Sequence, residues 1–210
     1  MNASDDVWAV LVAAGHGARF GGPKHDAELE GEALLKHGER ALRSGGVDEV
    51  VVVGEVPGGV AGGPRRRDSV ANGLEQVPPD VDFVLVHDAA RPLASAELVA
   101  RIIERLRVGD AAGVVPAVPV RDTIKQTAHD AVVVTVDRSA LVAVQTPQGF
   151  VVSVLRRAHA AGDDDVTDDA MLLELIGEQV VTVPGEPSNL KITFPEDLEL
   201  ASVLRSTGHG

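Results

Sequence analysis

Short apolar runs alternate along the chain with segments whose apolar residues recur every three or four positions. The first kind of segment is typical of buried strands, and the second is typical of helices that bury one face. Residues 96–107 show the helical spacing most clearly, and Ser95 precedes them as a candidate cap. This alternation predicts βαβ units, which build a mostly parallel sheet with helices on both faces. The predicted strands are residues 7–14, 49–54, 81–87, 113–118, 141–145 and 179–183.

The chain length is consistent with one such sheet. A single hydrophobic core usually divides only beyond about 250 residues, and this chain has 210. We therefore predict one α/β domain over residues 1–210, with a three-layer, Rossmann-like arrangement. Asp68 or Ser69 can cap one of its helices. The other predicted helices are residues 32–44, 70–77, 150–159, 167–176 and a last one with Pro195 in its first turn.

One segment interrupts this alternation. Residues 121–137 contain two strand-like pieces around a polar turn and no helical stretch of ten residues. The pattern predicts a β-hairpin that projects from the sheet as an arm, at about residues 119–138. A two-stranded hairpin is marginally stable alone, so we expect this arm to pack against another subunit.

Composition excludes several classes of function. The net charge of −13 and an aromatic content of 2% argue against nucleic-acid binding, which needs basic residues and stacking surfaces. The chain has no cysteine, which excludes thiolate catalysis, disulfides and cysteine-bound metals. It has no apolar run of membrane length and no basic segment before its first apolar stretch. We expect no membrane partner and a cytoplasmic location.

The first predicted strand runs into a glycine-rich loop. After the strand comes the sequence GHGARFGG, and Pro23 and Lys24 follow it. Glycines let a backbone turn tightly and let a ligand approach the main chain, and successive free N–H groups form a concavity that binds anions. Arg19 and Lys24 add positive charge. The combination predicts a cradle for a polyphosphate, although a loop that is glycine-rich only for turning remains an alternative.

Two familiar phosphate-binding loops do not match this segment. A dinucleotide-binding turn needs a third glycine where Phe20 stands, and an acidic residue at the end of the next strand. A Walker loop needs glycine before its lysine and serine or threonine after it, but Lys24 lies between Pro23 and His25.

Two further polar clusters follow predicted turns or strands. In HDAARP, Asp88 ends a strand and can point into the crevice lined by the glycine-rich loop, where its carboxylate can hold Mg²⁺. An ion pair with Arg91 that organises the turn is the alternative. We expect His87 to be a hydrogen-bonded structural residue. In GGPRRRDS, the three arginines form either a solvated face or a contact with phosphate or base.

Eight motifs together resemble the 2-C-methyl-D-erythritol 4-phosphate cytidylyltransferase (IspD) family. They occur in the family's order from about residue 7 to residue 200. Each motif alone is weakly specific, and the glycine-rich loop is shared by nucleotidyltransferases generally. The motifs are AAGHGARFGGPK, GGPRRRDS, VHDAARP, VRDTIK, TVDR, TPQGF, VTDDA and NLKIT followed by PEDL.

The resemblance implies a nucleotidyltransferase-type fold and a specific reaction. CMP would pass from CTP to 2-C-methyl-D-erythritol 4-phosphate, with release of pyrophosphate, in non-mevalonate isoprenoid biosynthesis. The attacking phosphate oxygen is already anionic, so the reaction needs no side-chain nucleophile or activating base. Catalysis would rest on alignment and on neutralising charge at the α-phosphate, with Mg²⁺ as cofactor.

By the same resemblance, site residues fall into three groups. The hairpin would cross to the other subunit of a homodimer and carry Thr123 and Arg138 to the partner's substrate, and Asp88 would hold the metal. Thr167 is also a good candidate for a helix cap. The catalytic group is Arg19, Lys24, Arg138 and Lys191. The nucleotide-binding group is Ala13, Ala14, Gly15, His16, Gly17, Gly63, Ser69, Asp88 and Ala89. The substrate-binding group is Arg91, Thr123, Thr146 and Thr167.

Two other functions stay open at this point. The acceptor can be another polyol phosphate, such as ribitol 5-phosphate. Alternatively, the protein binds nucleotide without turnover, because the segment 54–63 is short where the family usually has a further helix and strand.

Overall fold

The structure is a computed structural model that describes residues 5–15, 20 and 27–207. Its strands are β1 (Val7–Val12), β2 (Glu28–Leu29), β3 (Glu32–Ala33), β4 (Glu49–Val53), β5 (Phe83–Asp88), β6 (Gly113–Pro119), β7 (Ile124–Ala128), β8 (Ala131–Val136), β9 (Val142–Val144), β10 (Gln148–Val151) and β11 (Val180–Pro184). Its helices are α1 (Leu34–Ser44), α2 (Arg66–Leu74), α3 (Ala96–Arg107), α4 (Val152–Ala161), α5 (Asp169–Leu175) and α6 (Glu196–Ser206). None of these helices has the length and apolar character that a membrane span needs.

A seven-stranded sheet forms the centre of the described structure. The strand order is β11-β6-β10-β5-β1-β4, and β9 pairs with the end of β6. Strands β4, β1 and β5 are parallel, as are β6 and β11. The predicted mostly parallel α/β sheet is confirmed. Because β1 pairs with β5 so that Val12 faces Asp88, the two strands end at the same edge.

Strand β10 is the exception within this sheet. It lies antiparallel between β5 and β6, where sequence spacing predicts a helix over 150–159. That prediction is wrong at its start, since α4 begins at Val152. Gly149 lets the strand approach α3, because a Cβ atom there would lie 2.6 Å from Ile102 Cγ2. Phe150 is fully buried on the opposite face. Tertiary packing on both faces therefore overrides the helical pattern at this position.

Helices cover the sheet on both sides, which confirms the three-layer prediction. One cluster of buried residues packs α2, α4 and α5 against one face, and a second packs α1 and α3 against the other. In β1, Val10 belongs to the first cluster, whereas Ala9 and Leu11 belong to the second. This strand is therefore buried on both faces, as its unbroken apolar run predicts.

A third, smaller cluster holds the C-terminal helix α6 beside the two-stranded sheet of β2 and β3. It contains Leu29, Leu34, Leu93, Ile192 and Ala201. The segment that carries Lys191 is fixed at the same place, because Ile192 N donates to Ala90 O at 2.7 Å. Helix α6 thus packs against the chain on either side of Lys191 and against the elements that follow the glycine-rich loop.

The predicted hairpin is present as β7 and β8, which pair only with each other in a separate antiparallel sheet of the described structure. The chain leaves the central sheet after Pro119 and returns to it at Val142, so the arm is slightly longer than predicted. Its apolar side chains are exposed: Val132 is 60% exposed and Val134 47%.

Helix α2 begins earlier than predicted and includes two of the three adjacent arginines. Arg65 is its N-cap, and the Asp68 carboxylate accepts a hydrogen bond from Arg65 N at 3.1 Å. Ser69 does not cap the helix, since its hydroxyl accepts from Gly63 N and donates to Arg65 O. The expected cap at Asp68 or Ser69 is therefore wrong, because Asp68 serves as the third residue of a reciprocal capping pair.

Candidate active site

The carboxyl ends of β1 and β5 bring the start of the glycine-rich loop beside Asp88 and Ala89. Ala89 N donates to Val12 O at 2.9 Å, and Ala13 N donates to Val53 O at 2.7 Å. Ala14 and Gly15 continue from this edge, and Gly15 is exposed. The remaining predicted loop residues, His16, Gly17, Arg19 and Lys24, lie outside the described residues.

The short segment 54–63 returns the chain to the same edge. Val60 pairs with Val53 of the edge strand β4, and Gly54 N donates to Val60 O at 2.8 Å. The segment then reaches Gly62, where a Cβ atom would lie 2.4 Å from Ala14 Cβ. Gly63 follows, with its N–H bonded to Ser69 Oγ at 3.0 Å. The short loop therefore still brings Gly63 and Ser69 close to Ala14.

Asp88 is the centre of an ion-pair cluster at this edge. Lys191 Nζ donates to Asp88 Oδ2 at 2.7 Å, and Arg66 Nε donates to Asp88 Oδ1 at 3.0 Å. The carboxylate is mostly buried, with 8% of the residue exposed. Three segments that are distant in the sequence thus place one carboxylate and two cations in contact.

The two cations keep Asp88 ionised despite its burial. Burial raises the pKa of this carboxyl group, but the charges and hydrogen bonds of Arg66 and Lys191 outweigh it. The resulting pKa lies well below the usual value of 3.8. Burial lowers the pKa of Arg66, whereas Asp88 and Asp169 raise it by more. Asp88 and Arg66 are therefore both charged at neutral pH.

Arg91 does not form the ion pair with Asp88 that was the alternative interpretation of this turn. Its Nη1 donates to Asn189 O at 2.7 Å, and its backbone N–H donates to Asp88 O at 2.9 Å. Burial lowers the pKa of Arg91, although the charge of Asp88 opposes this effect. Arg91 thus ties the turn after β5 to the segment just before Lys191.

Thr146 links the same elements from within. Its hydroxyl accepts a hydrogen bond from Asp88 N at 3.1 Å and shares another with His87 Nδ1 at 3.0 Å. Its carbonyl accepts from Asn189 Nδ2 at 2.9 Å. Thr146 is buried. Through these hydrogen bonds it connects β5 with the segment that carries Lys191.

Two of the predicted substrate-binding residues lie on exposed segments. Thr167 is exposed and does not cap α5, because the Asp168 carboxylate accepts from Met171 N and forms the cap instead. Thr123 is an exposed residue at the base of the arm. Arg138, from the predicted catalytic group, lies after β8 in a single 3₁₀ turn of the arm and donates a hydrogen bond to Arg121 O.

Arg66 is a site residue that the sequence prediction missed. The three adjacent arginines point in different directions because they occupy successive positions at the start of a helix. Arg65 pairs with Asp68 and Asp163, and Arg67 donates to three carbonyl groups in the last turn of α4 and just after it. Only the middle arginine of the three reaches Asp88. The triplet is thus a set of specific contacts and not a solvated face, and its position between a glycine pair and a helix was the available signal.

His87 is a hydrogen-bonded structural residue, as predicted. It is fully buried beside Gly38 of α1, where a Cβ atom would lie 3.2 Å from the imidazole Cδ2. Burial lowers its pKa from the usual 6.5 to about 4. The ring therefore stays neutral at physiological pH.

Open α/β sheets bind their ligands at the carboxyl ends of their strands. Here that edge holds the start of a glycine-rich loop, a carboxylate and two cations, an arrangement that suits a nucleotidyltransferase. The chain belongs to the 2-C-methyl-D-erythritol 4-phosphate cytidylyltransferase (IspD) family, whose model matches residues 7–206. A protein of this name from Rhodococcus jostii is 48% identical over 220 residues, covering 96% of each chain. One from Streptomyces avermitilis is 42% identical and covers 93% of this chain and 90% of that protein. The crystal structure of the Thermus thermophilus enzyme has a TM-score of 0.81 at 37% identity, covering 94% of this chain and 98% of that one.

The burial of His87 predicts a loss of stability in acid. The free energy of unfolding should fall as the pH drops from 6.5 to about 4, because the unfolded chain takes up a proton that the folded imidazole resists. The shift corresponds to about 3 kcal/mol by the acidic end of this range. Urea unfolding at a series of pH values measures the effect.

The matched variants are His87→Asn and His129→Asn. His87→Asn lacks the buried imidazole. The difference in free energy of unfolding between the wild type and this variant should therefore decrease as the pH falls. His129 is exposed in the hairpin turn with a φ of 53°, a conformation that asparagine tolerates. Its variant should keep the wild-type pH dependence. Parallel curves for wild type and His87→Asn would contradict the prediction.

Proposed function

We propose that this protein transfers CMP from CTP to 2-C-methyl-D-erythritol 4-phosphate and releases pyrophosphate, as a step of non-mevalonate isoprenoid biosynthesis. The main structural support is the cluster of Asp88, Arg66 and Lys191 beside the start of the glycine-rich loop. Membership of the family supports the choice of substrates, since relatives along nearly the whole chain bear that activity in their names.

The proposed chemistry suits the groups that the site contains. The acceptor's phosphate oxygen attacks the α-phosphorus of CTP, a bond to that oxygen forms, and the bond to pyrophosphate breaks. Because the nucleophile is already an anion, the protein has no proton to remove. It must hold the two phosphates close together and offset their repulsion. In this proposal Arg19 and Lys24 stabilise the charge of the transition state, and Lys191 and Arg138 position the attacking phosphate.

The nucleotide would occupy the edge formed by β1 and β5. The backbone of Ala13, Ala14 and Gly15, with His16 and Gly17, would hold the triphosphate. Gly63 and Ser69 would contact the nucleoside, and Asp88 and Ala89 would face the ribose. The acceptor would lie beside Lys191. Arg91, Thr123, Thr146 and Thr167 are the proposed residues of its pocket.

Asp88 also fits the Mg²⁺ that we propose as cofactor. Each of its oxygens accepts one hydrogen bond and keeps a lone pair for another ligand. Among the described residues, no group of three or more acidic or histidine side chains could hold a metal. Mg²⁺ commonly binds through one carboxylate, phosphate oxygens and water, so Asp88 would hold it together with the triphosphate. When bound, the ion supplies positive charge to the phosphates.

The exposed arm supports a homodimer. A hairpin this small does not bury its own apolar side chains, and Val132, Val134 and Val142 are each at least 47% exposed. We propose that a second copy of the chain covers them and that Arg138 serves the site of the other subunit. We also propose a cytoplasmic location, which a chain without cysteine suits, and no nucleic-acid or membrane partner.

The experiment that tests the function measures pyrophosphate release from the purified protein with CTP, Mg²⁺ and a panel of polyol phosphates. We expect turnover with 2-C-methyl-D-erythritol 4-phosphate, and loss of turnover when a chelator removes Mg²⁺. Faster turnover with ribitol 5-phosphate than with 2-C-methyl-D-erythritol 4-phosphate would contradict the proposed acceptor. Calorimetric binding of CTP without pyrophosphate release from any acceptor would instead support the non-catalytic alternative.

Lys24→Ala should reduce kcat far more than it weakens CTP binding, because the lost contact is made in the transition state. We expect kcat to fall about 100-fold or more, with a change in the Kd for CTP of less than about tenfold. Steady-state kinetics and calorimetry give the two quantities. Lys36→Ala is the matched control, since Lys36 is an exposed residue of α1 that pairs with Glu39 at 2.8 Å. Similar losses in kcat and affinity would show that Lys24 has a different role.

Mixed dimers test whether Arg138 acts across the subunit interface. Arg138→Ala and Lys24→Ala proteins should each be nearly inactive, and their mixture should regain activity because one site of each mixed dimer is intact. With random pairing the recovery should be about a quarter of wild-type activity. Pyrophosphate release after mixing the two proteins measures it.

Two charge variants serve as controls for this complementation. The double variant Val132→Lys, Val134→Lys should dissociate the dimer in sedimentation experiments and abolish recovery. Val108→Lys introduces the same charge at the end of α3, where Val108 is 64% exposed, and should leave both unchanged. If the two proteins remain dimeric and their mixture regains no activity, Arg138 acts within its own subunit.

A further inference from the structure

The Arg66 guanidinium bridges two carboxylates, and only one of them lies among the sequence-predicted site residues. Its Nε donates to Asp88 Oδ1 at 3.0 Å, and its Nη1 donates to Asp169 Oδ2 at 2.6 Å. We propose that Asp169 is a positioning residue, which fixes the Arg66 guanidinium and thereby orients the Asp88 carboxylate. This inference rests on the proposed cytidylyl transfer and adds a residue from α5 to the machinery of that reaction.

Asp169 is held firmly enough to act in this way. Its side chain is fully buried, and His159 Nε2 lies 3.2 Å from its second oxygen, Oδ1. Each carboxylate oxygen therefore has its own partner, from α2 on one side and α4 on the other. A carboxylate occupied on both oxygens cannot rotate without losing a hydrogen bond, so Arg66 meets a fixed anion.

Local stability does not account for a charge at this position. Asp168 already caps α5, because its carboxylate accepts from Met171 N at 3.1 Å. Burying an ion pair costs desolvation energy, and apolar residues of similar volume often give equal or greater stability. An acidic group in the first turn interacts favourably with the helix dipole, but an exposed group would provide that stabilisation without the desolvation cost. A role in fixing Arg66 accounts for the buried charge.

The arrangement makes the position of Asp88 depend on Asp169. The guanidinium is planar, so its orientation toward Asp169 sets the direction from which Nε approaches Asp88. Lys191 contacts the other oxygen of the same Asp88 carboxylate. Without the anchor, Arg66 could turn away, and both Asp88 and Lys191 would lose their alignment. Such misalignment reduces the rate of reaction more than it reduces binding.

A double-mutant cycle tests the inference. Asp169→Asn and Arg66→Gln should each lower kcat about tenfold, measured per folded active site, with less than about a threefold change in the KM for CTP. The double variant should be no worse than Arg66→Gln alone, because residues that act through one another give non-additive effects. Asp169→Glu, which keeps the charge, should recover more of kcat than Asp169→Asn.

The control cycle combines Asp169→Asn with Arg65→Gln. Arg65 is the neighbouring arginine, and its partners are Asp68 and Asp163. Its effect should add to that of Asp169→Asn. A purely structural role for Asp169 would lower the melting temperature and the folded fraction but would leave kcat per folded site unchanged in both cycles.

The possible outcomes separate this inference from the proposed function. A wild-type protein that releases no pyrophosphate overturns both. An active wild type with an unchanged kcat in Asp169→Asn, or with additive losses in the Arg66 cycle, overturns only the role of Asp169. Should Asp169→Asn fail to fold, Arg66→Lys tests the same link, because it keeps the charge but lacks the planar fork whose separate nitrogens contact the two carboxylates. A kcat within about twofold of wild type in Arg66→Lys would overturn the inference.

Discussion

The candidate site depends on keeping one mostly buried carboxylate ionised. Asp88 loses most of its hydration at the end of β5, and only the two cations beside it make its charge favourable. These cations come from the start of α2 and from the segment after β11. The ion pairs therefore require the helix and that segment to be correctly placed on the sheet. The sheet register, in which Val12 lies opposite Asp88, brings the start of the glycine-rich loop to the same place.

The sequence predicted the layers of the fold because hydrophobic spacing reports burial directly. Strand β1 and helix α3 were identified on this basis within one or two residues. The same reasoning failed at β10, where burial between two strands and two layers of helices outweighs local preference. It also misplaced the start of α2, because a capping pair between Arg65 and Asp68 has no hydrophobic signature.

The candidate site could be predicted only in part. Asp88 could be found from its place after an apolar strand, and Lys191 from the resemblance to a family. Arg66 and Asp169 could not be singled out, because identical residues stand next to each of them. Which of three arginines reaches Asp88, and which of two aspartates reaches Arg66, is decided by the rotation of a helix by about 100° per residue. That rotation depends on where the helix begins, which the hydrophobic pattern does not define.

The contact between Lys191 and Asp88 can form only late in synthesis on the ribosome. Strands β1, β4 and β5 are made early, whereas the residues that complete the charge cluster are among the last to be made. Asp88 gains its second cation only after residue 191 has been made, and α6 must follow to complete the packing around Ile192. Most strands of the sheet are thus made well before the charge cluster can form. A chain that ended between residues 184 and 191 would contain every strand of the central sheet but would lack the second cation of the cluster.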